Sequence, residues 1–324
     1  MHKIKDLQEI INKEIESKKM GREPFSLYEP INYSLSNGGK RIRPLLTLLA
    51  CNLFSEKIDQ AIDAALAIEI FHNFTLLHDD IMDKADIRRG KPTVHKKWNE
   101  NTAILSGDAM FIKSYDFLLE TKTEKFKEIL QVFNNTALEV CEGQQYDMEF
   151  ENRNDVSENE YLRMIELKTS VLLAAALKIG AIIGGAENAD ADLLYDFGRN
   201  IGLAFQLQDD MLDVYGSKNT FGKEIGGDIV ANKKTFLLIK AKQLSSIEDK
   251  RHIDSYLMDK KTPKEEKIKG ITGIYNKLEI KKIAEDLISE YHFIAMEKLN
   301  KVNVSEEKKT ELIQLSESLL KRNK

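Results

Sequence analysis

Apolar residues recur at helical spacing along nearly the whole chain. Leu7, Ile10, Ile11 and Ile15 form one stripe, which predicts an amphipathic helix from residue 3 to about 18. Pro24 and Pro30 are expected to break the next segment. A helix is then predicted through Leu45 to Phe54, and another from about Ile58 to Asp83 whose apolar run extends from Ile62 to Leu77. A loop spans Lys84 to Pro92. Helical patterns resume over Ala103–Phe117, Lys125–Phe150 and 158–185, and an apolar segment from Ile201 to Leu207 leads into a further one. From Phe236 onward the pattern is amphipathic and rich in Lys and Glu, with a break at Pro263. Residues 263–324 read as an outer layer without chemistry of its own.

Composition sharpens this into an all-α fold. Prolines occur only at 24, 30, 44, 92 and 263, so 93–262 contain no breaker of that type, and 42% of residues are apolar. No linker or low-complexity tract is visible, so residues 1–324 are expected to form a single domain. A formal charge of −5 argues against a general nucleic-acid binder. Cys51 and Cys141 cannot make a disulfide framework and are expected to be reduced core residues of a cytoplasmic protein. The N-terminus leads directly into an amphipathic helix rather than an apolar signal segment. The most apolar stretch, Val171–Gly185, is interrupted by Lys178 and is too short to span a bilayer. A soluble protein is expected.

One stretch departs from this ordinary pattern. At the end of the long apolar run stand His78-Asp79-Asp80-Ile81-Met82-Asp83, then Asp86 and Arg88-Arg89-Gly90. Asp79 and Asp83 lie about 40° apart on a helix, one turn from each other, with His72 and Leu76 on the same stripe. Carboxylates on neighbouring turns repel unless a cation lies between them. Oxygen ligands favour a hard ion such as Mg²⁺, which typically also takes phosphate oxygens. A lone acidic cluster reads more readily as a solvated helix face than as a metal site. Here the spacing recurs 130 residues later in Gln208-Asp209-Asp210-Met211-Leu212-Asp213, again after an apolar segment. Two such motifs on two helices suit a metal site built inside a bundle.

Basic groups accompany the acidic ones. Asn37-Gly38-Gly39-Lys40-Arg41-Ile42-Arg43-Pro44 opens a helix with cations at the end where the dipole disfavours them. An anion bound among Lys40 and Arg43 would resolve that conflict; a solvated surface turn is the alternative. Arg88 and Arg89 read either as charge balance for Asp86 or as a phosphate clamp. Gln144, Gln145 and Asp147 continue an apolar helix as core polars or as cavity lining. Ile165, Lys168, Leu172 and Ala175 share one stripe, so Lys168, beside Thr169, either snorkels outward or faces a phosphate. The segment Val214–Thr235, with Lys218, Lys223, Lys233 and Lys234 among glycines, reads as a basic flap or as a plain surface loop. Trp98 reads as a packing residue.

There is no Ser/His/Asp set that can be placed, no Gly-x-Ser-x-Gly elbow, no Cys/His metal spacing and no nucleotide-binding glycine fingerprint. Acidic Mg²⁺ ligands and scattered cations suit a multiply charged phosphate substrate. Metal and fixed positive charge would stabilise the departing group in a water-poor cavity.

GGKRIRP (38–44), HDDIMDKADIRRG (78–90), GQQYD (143–147), KT (168–169), QLQDDMLD (206–213), the GK pair at 222–223 and NKK (232–234) together resemble the trans-isoprenyl diphosphate synthases, or polyprenyl synthetases. The resemblance runs from Gly38 to about Lys234. It implies an all-α bundle around a deep central cavity, usually a homodimer. It further implies condensation of isopentenyl diphosphate with an allylic diphosphate by ionisation, condensation and elimination. Asp79, Asp83 and Asp209 would be the direct ligands of Mg²⁺, about three ions per active site, supported by Asp80, Asp210 and Asp213. Arg88, Lys168, Lys223 and Lys233 would hold the allylic diphosphate, and Lys40, Arg43, His72 and Arg89 the isopentenyl diphosphate. Thr169 and Gln206 match polar positions near the reacting carbon, and the released diphosphate would take the proton.

In that family product length is tuned just ahead of the first acidic motif, where Phe74 and Thr75 stand here. An aromatic followed by a small residue, with no insertion in DDIMD, resembles the geranylgeranyl-producing type; a farnesyl diphosphate synthase is the alternative. An ideal wheel puts Phe74 about 140° from Asp79, which by itself does not place it in a pocket. A terpene cyclase would normally lack the second acidic motif and the isopentenyl-binding cations. A non-catalytic partner subunit would usually carry damaged acidic motifs, and these are intact.

Overall fold

The computed structural model describes residues 2–18, 20–216, 225–259 and 261–320. The chain is helical almost throughout, as the apolar periodicity requires. α1 (Ile4–Ser17) buries Leu7, Ile11 and Ile15. α2 (Phe25–Ser36) corrects the expected break: Pro24 occupies the N-cap and Pro30 lies inside the helix. The N–H that Pro30 lacks would have met the carbonyl of Ser26, which is exposed, so water can satisfy it while Pro30, Ile31 and Leu35 pack inward.

α3 (Ile42–Phe54) is buried at every position from Pro44 to Leu53. A short 3₁₀ turn, Ile58–Ala61, leads into α4 (Ile62–Met82), buried nearly all round until its last turns, where polar groups take over. Helices apolar on every side belong inside a core. The loop expected over Lys84–Pro92 is a small hairpin, β1 (Ile87–Arg88) paired with β2 (Lys91–Pro92). Arg89 and Gly90 form its turn with φ 53° and 75°, the geometry that matches the natural twist of a two-residue hairpin. Strands this short carry no alternation for a sequence to reveal.

Next come α5 (Val94–Lys97), α6 (Glu100–Leu119) and α7 (Phe126–Glu151). Asn99 caps α6 through the amide of Thr102 at 2.8 Å. The helix expected over 158–185 is interrupted. α8 (Glu158–Ile165), started by a Ser157/Glu160 capping box, widens into a π turn at Glu166–Ser170 before α9 (Val171–Gly184). The whole run Glu158–Gly184 is long and apolar enough to cross a membrane, unlike the shorter stretch judged from sequence, but 78% of its most apolar window is buried inside the protein. α10 (Asn188–Tyr215), α11 (Gly227–Val230), α12 (Phe236–Leu244), α13 (Ile247–Met258), α14 (Lys264–Lys277), α15 (Ile280–Lys301) and α16 (Glu306–Leu320) complete the chain.

These elements divide into two compact units. One comprises Met1–Asn134, Ala175–Leu194 and Val302–Leu312; the other comprises Asn135–Ala174, Tyr195–Lys301 and Ile313–Lys324. In the first, α4 packs against α3, α2 and α6. In the second, Tyr161, Met211, Phe236, Ile253, Tyr275 and Ile280 belong to one apolar cluster. The cysteines part company with expectation: Cys51 is buried in the first unit, but Cys141 is exposed. Burial, with a smaller push from Asp59, raises the Cys51 thiol to about 12.

α9 runs close against α3 within the first unit. A Cβ at Gly180 would fall 2.0 Å from the carbonyl oxygen of Thr47, and one at Gly184 would fall 2.6 Å from that of Cys51. Both obstacles are backbone and cannot rotate away. Gly180→Val is therefore expected to cost at least about 1–3 kcal/mol, read as a lower urea midpoint; an unchanged midpoint would show that the two helices separate freely.

Candidate active site

In the first unit the polar chemistry gathers where α4 ends. Asp80 is 5% exposed, and its carboxylate accepts from Nε of Arg88 at 2.7 Å. The same guanidinium reaches Asp79 at 3.2 Å. Burial raises the Asp80 carboxyl above its ordinary range against the opposing pull of Arg88. Asp83 caps α4 at an exposed position. Arg88 thus balances Asp79 and Asp80; Asp86 is taken by Lys96 at 2.8 Å. Arg89 turns elsewhere and donates to the carbonyl of Gly38.

The glycine loop, hairpin and α4 bring Arg43, Arg89 and His72 into one electrostatic cluster. Nη1 of Arg43 lies 3.1 Å from Nε2 of His72. A guanidinium can only donate, so Nε2 accepts and the ring's remaining proton is on Nδ1. His72 is held well below its ordinary value, first by burial and then by Arg43, Arg89, Arg88 and Arg41. Burial also brings Arg43 down to about 10, partly opposed by Glu69 and assisted by Arg89. Nε of Arg43 is buried with no hydrogen-bond partner among the described residues. Lys40 stands exposed on the same loop. This is a concentration of positive charge with a neutral imidazole inside it, an environment that favours a multiply charged anion. A separate cleft of about 830 Å³ reaches Gly38 and Arg41 from α1 and α2, but carries none of the acidic candidates.

Phe74 packs against His78, Phe111 and Phe71 with ring centroids 4.8, 5.2 and 5.5 Å apart. Its side chain therefore meets α6 in an aromatic cluster that extends to Tyr115 and Phe133. Thr75 bonds back to the carbonyl of His72 at 2.8 Å. Trp98 packs edge-on against Tyr33, as a packing residue would.

In the second unit α10 carries the second acidic motif with a similar asymmetry. Asp209 is partly exposed, whereas Asp210 and Asp213 are each 5% exposed. Asp210 accepts from the Tyr161 hydroxyl and from Nε2 of Gln206, the latter at 3.4 Å. Burial, aided by Asp228, pushes its carboxyl up to about 8. Asp213 accepts the amide of Asp228 at 3.0 Å, tying α10 to α11. The π turn presents Lys168 to Asp147 at 2.6 Å and Thr169 to Oε1 of Gln206 at 3.3 Å. A Cβ at Gly143 would fall 2.3 Å from the amide nitrogen of Lys168, so α7 approaches the turn this closely only through that glycine. Lys168 is thus neither snorkelled away nor alone in an apolar wall. Lys233 lies 3.6 Å from Asp228. Lys223 and Lys218 fall outside the described residues.

Several contributors carried weak signals or none. Glu69 and Arg41 form a buried pair; a glutamate inside the apolar run of α4 was the available clue. Tyr161 and Asp228 meet the second motif only through folding. Lys267 on α14 lies in the stretch expected to carry no chemistry, yet it is buried and donates to the carbonyl of Val230 and to Oδ1 of Asn232. Those contacts hold the left-handed Asn232 (φ 57°) that precedes Lys233.

Among the described residues, no three acidic, histidine or cysteine groups already converge on a cation position. The donor set is nonetheless all oxygen, as Mg²⁺ requires, and such ions commonly complete their coordination with substrate phosphates.

A family model for polyprenyl synthetases matches residues 25–275. A geranylgeranyl diphosphate synthase of Methanosarcina mazei is 46% identical over 220 residues, 67% of this chain and 68% of that protein. A geranylfarnesyl diphosphate synthase of Natronomonas pharaonis is 40% identical over 258 residues, 74% of this chain and 75% of that one. A crystal structure of a geranylgeranyl pyrophosphate synthase shares 44% identity and superposes with a TM-score of 0.95, covering 100% of both chains.

Proposed function

The chain belongs to the polyprenyl synthetase family and is a short-chain trans-prenyltransferase, and from that premise we propose that it condenses isopentenyl diphosphate with an allylic diphosphate to geranylgeranyl diphosphate. The observation that carries the reading is the cluster at the end of α4. A buried histidine, held low first by burial and then by the charges of Arg43, Arg89, Arg88 and Arg41, accepts from Arg43 beside an acidic motif of oxygen donors. Diphosphate and Mg²⁺ are the partners that such a pairing of opposite charges suits.

Asp79 and Asp83 in the first unit and Asp209 in the second would hold Mg²⁺, about three ions per active site, and the metal would supply Lewis-acid stabilisation of the departing diphosphate. Asp80, Asp210 and Asp213 act in support. Their burial and their bonds to Arg88, Tyr161 and the Asp228 amide favour fixing neighbouring groups over direct ligation. Lys40, Arg43, His72 and Arg89 bind isopentenyl diphosphate. His72 accepts from Arg43, which leaves its Nδ1–H to donate to a phosphate oxygen. Arg88, Lys168, Lys223 and Lys233 hold the allylic diphosphate. Thr169 orients the Gln206 amide, whose dipole faces the allylic cation as its carbon–oxygen bond breaks. The isopentenyl double bond attacks, and the released diphosphate takes the proton lost in restoring the double bond.

Phe74, braced by Phe111, limits the growing hydrocarbon, with Thr75 beside it. The relatives named as geranylgeranyl synthases support a C20 product, and the geranylfarnesyl relative marks C25 as the neighbouring outcome. The enzyme works in the cytoplasm as a homodimer. On α6, Leu105 (60% exposed), Ile112 (62%) and Leu119 (64%) form an uncovered apolar stripe that a second copy would bury.

Incubation with isopentenyl diphosphate, Mg²⁺ and each short allylic diphosphate should yield a C20 product by mass, and Phe74→Ala should lengthen it. A C15 end product, or an unaltered length in the variant, would count against the assignment. Asp79→Ala and Asp209→Ala should each lower kcat by at least about 10²-fold with helicity retained in circular dichroism; near-normal turnover would reject the metal role. Leu105→Glu should shift the particle from dimer to monomer mass in light scattering, and a monomeric parent enzyme would refute the interface.

A further inference from the structure

Arg41 does something its neighbours in the glycine loop do not. It has φ 48° and ψ 40° at the N-cap of α3, a left-handed backbone that residues with a Cβ rarely adopt. Its side chain is 5% exposed, against 3% for its partner Glu69, and Nη1 meets Oε1 of Glu69 at 2.5 Å. Its other terminal nitrogen donates to the carbonyl of Leu35 near the end of α2. Glu69 sits in the middle of α4 and is held in turn. Nδ2 of Asn73 donates to its carboxylate at 3.0 Å and to its carbonyl at 2.8 Å. Arg41 thus links α2, α3 and α4 from the position directly after Lys40 and two before Arg43.

A buried ion pair is poor evidence of stabilisation, because desolvating two charges cancels most of their attraction. The arrangement therefore needs a reason other than stability. Glu69 lies one turn before His72, and its charge opposes the effect of burial on both Arg43 and Arg89. Without it, Arg43 would lose its one counter-charge among the causes that set its proton affinity, and Arg89 would keep only the weaker pull of Asp80. Backbone direction supplies a second reason. Arg41, between Lys40 and Ile42, has its left-handed conformation held by the Leu45 amide on its carbonyl and, on the buried side, by its side-chain contacts to Glu69 and Leu35.

We infer that the buried Arg41–Glu69 pair is a positioning device for the isopentenyl diphosphate site: it touches no substrate, but sets the loop direction and counter-charge that aim Lys40, Arg43 and Arg89 at the diphosphate. This rests on the reading that those residues bind isopentenyl diphosphate. Glu69→Gln keeps the shape and removes the charge, and Glu69→Asp keeps the charge at a shorter reach. Arg41→Met/Glu69→Leu replaces the pair by apolar groups, an exchange that often preserves or raises stability.

Steady-state kinetics with each substrate varied in turn, alongside thermal unfolding, separates the roles. Glu69→Gln and the double variant should raise the isopentenyl KM roughly five- to thirtyfold, leave the allylic KM within about twofold and change kcat little, the pattern of lost substrate binding. Glu69→Asp should recover part of the loss. The double variant should show the KM defect even with the melting temperature of the parent. An isopentenyl KM equal to the parent's in Glu69→Gln, whatever its melting temperature, would overturn the inference, as would equal rises in both KM values. If the double variant does not fold, the Gln and Asp variants decide by the same criteria. Failure of the parent enzyme to condense the two substrates would instead refute the assigned function.

Discussion

Like charges held close together in a partly desolvated place are the constraint on which the rest of this molecule depends. Carboxylates cluster at the ends of two apolar helices, and arginines crowd beside the first of them. The fold does not relieve this by separating the charges. It gives the middle carboxylate of each motif a donor, Arg88 for Asp80 and Tyr161 for Asp210, and pairs Glu69 with Arg41. What is left over on each side is a requirement for counter-ions of the opposite sign. On the proposed function, a diphosphate answers the arginines and divalent cations answer the carboxylates.

Much of this was legible in the sequence because it depends on local periodicity. The apolar stripes of α1, the buried run of α4 and the spacing of Asp79, Asp83, Asp209 and Asp213 follow from residue order alone, and the helices they predict are present. Trp98 could be read as packing and is. The hairpin at Ile87–Pro92 was not legible, because two residues per strand give no pattern. Pro30 misled because its penalty depends on what happens to one carbonyl, and that carbonyl belongs to an exposed residue, Ser26.

The unforeseen pairings have a common cause. Tyr161 serves Asp210, Asp147 serves Lys168 and Lys267 serves Asn232 across 49, 21 and 35 positions of sequence. No helical or strand period connects such pairs; only packing does. Glu69 is the exception, since one acidic residue within an apolar run implies a hidden partner. The candidate site was therefore visible as a list of residue types, but not as a set of pairings.

The π turn at Glu166–Ser170 also changes how its own helix must be counted. A wide turn accommodates one residue more than an α-helical turn does, and at 100° per residue that surplus rotates everything after it by about that angle. A stripe drawn through Ile165, Lys168, Leu172 and Ala175 on a uniform wheel thus joins positions that do not share a face. The helix is out of phase with itself on either side of Lys168, and the lysine and its threonine neighbour occupy the seam where the two phasings meet.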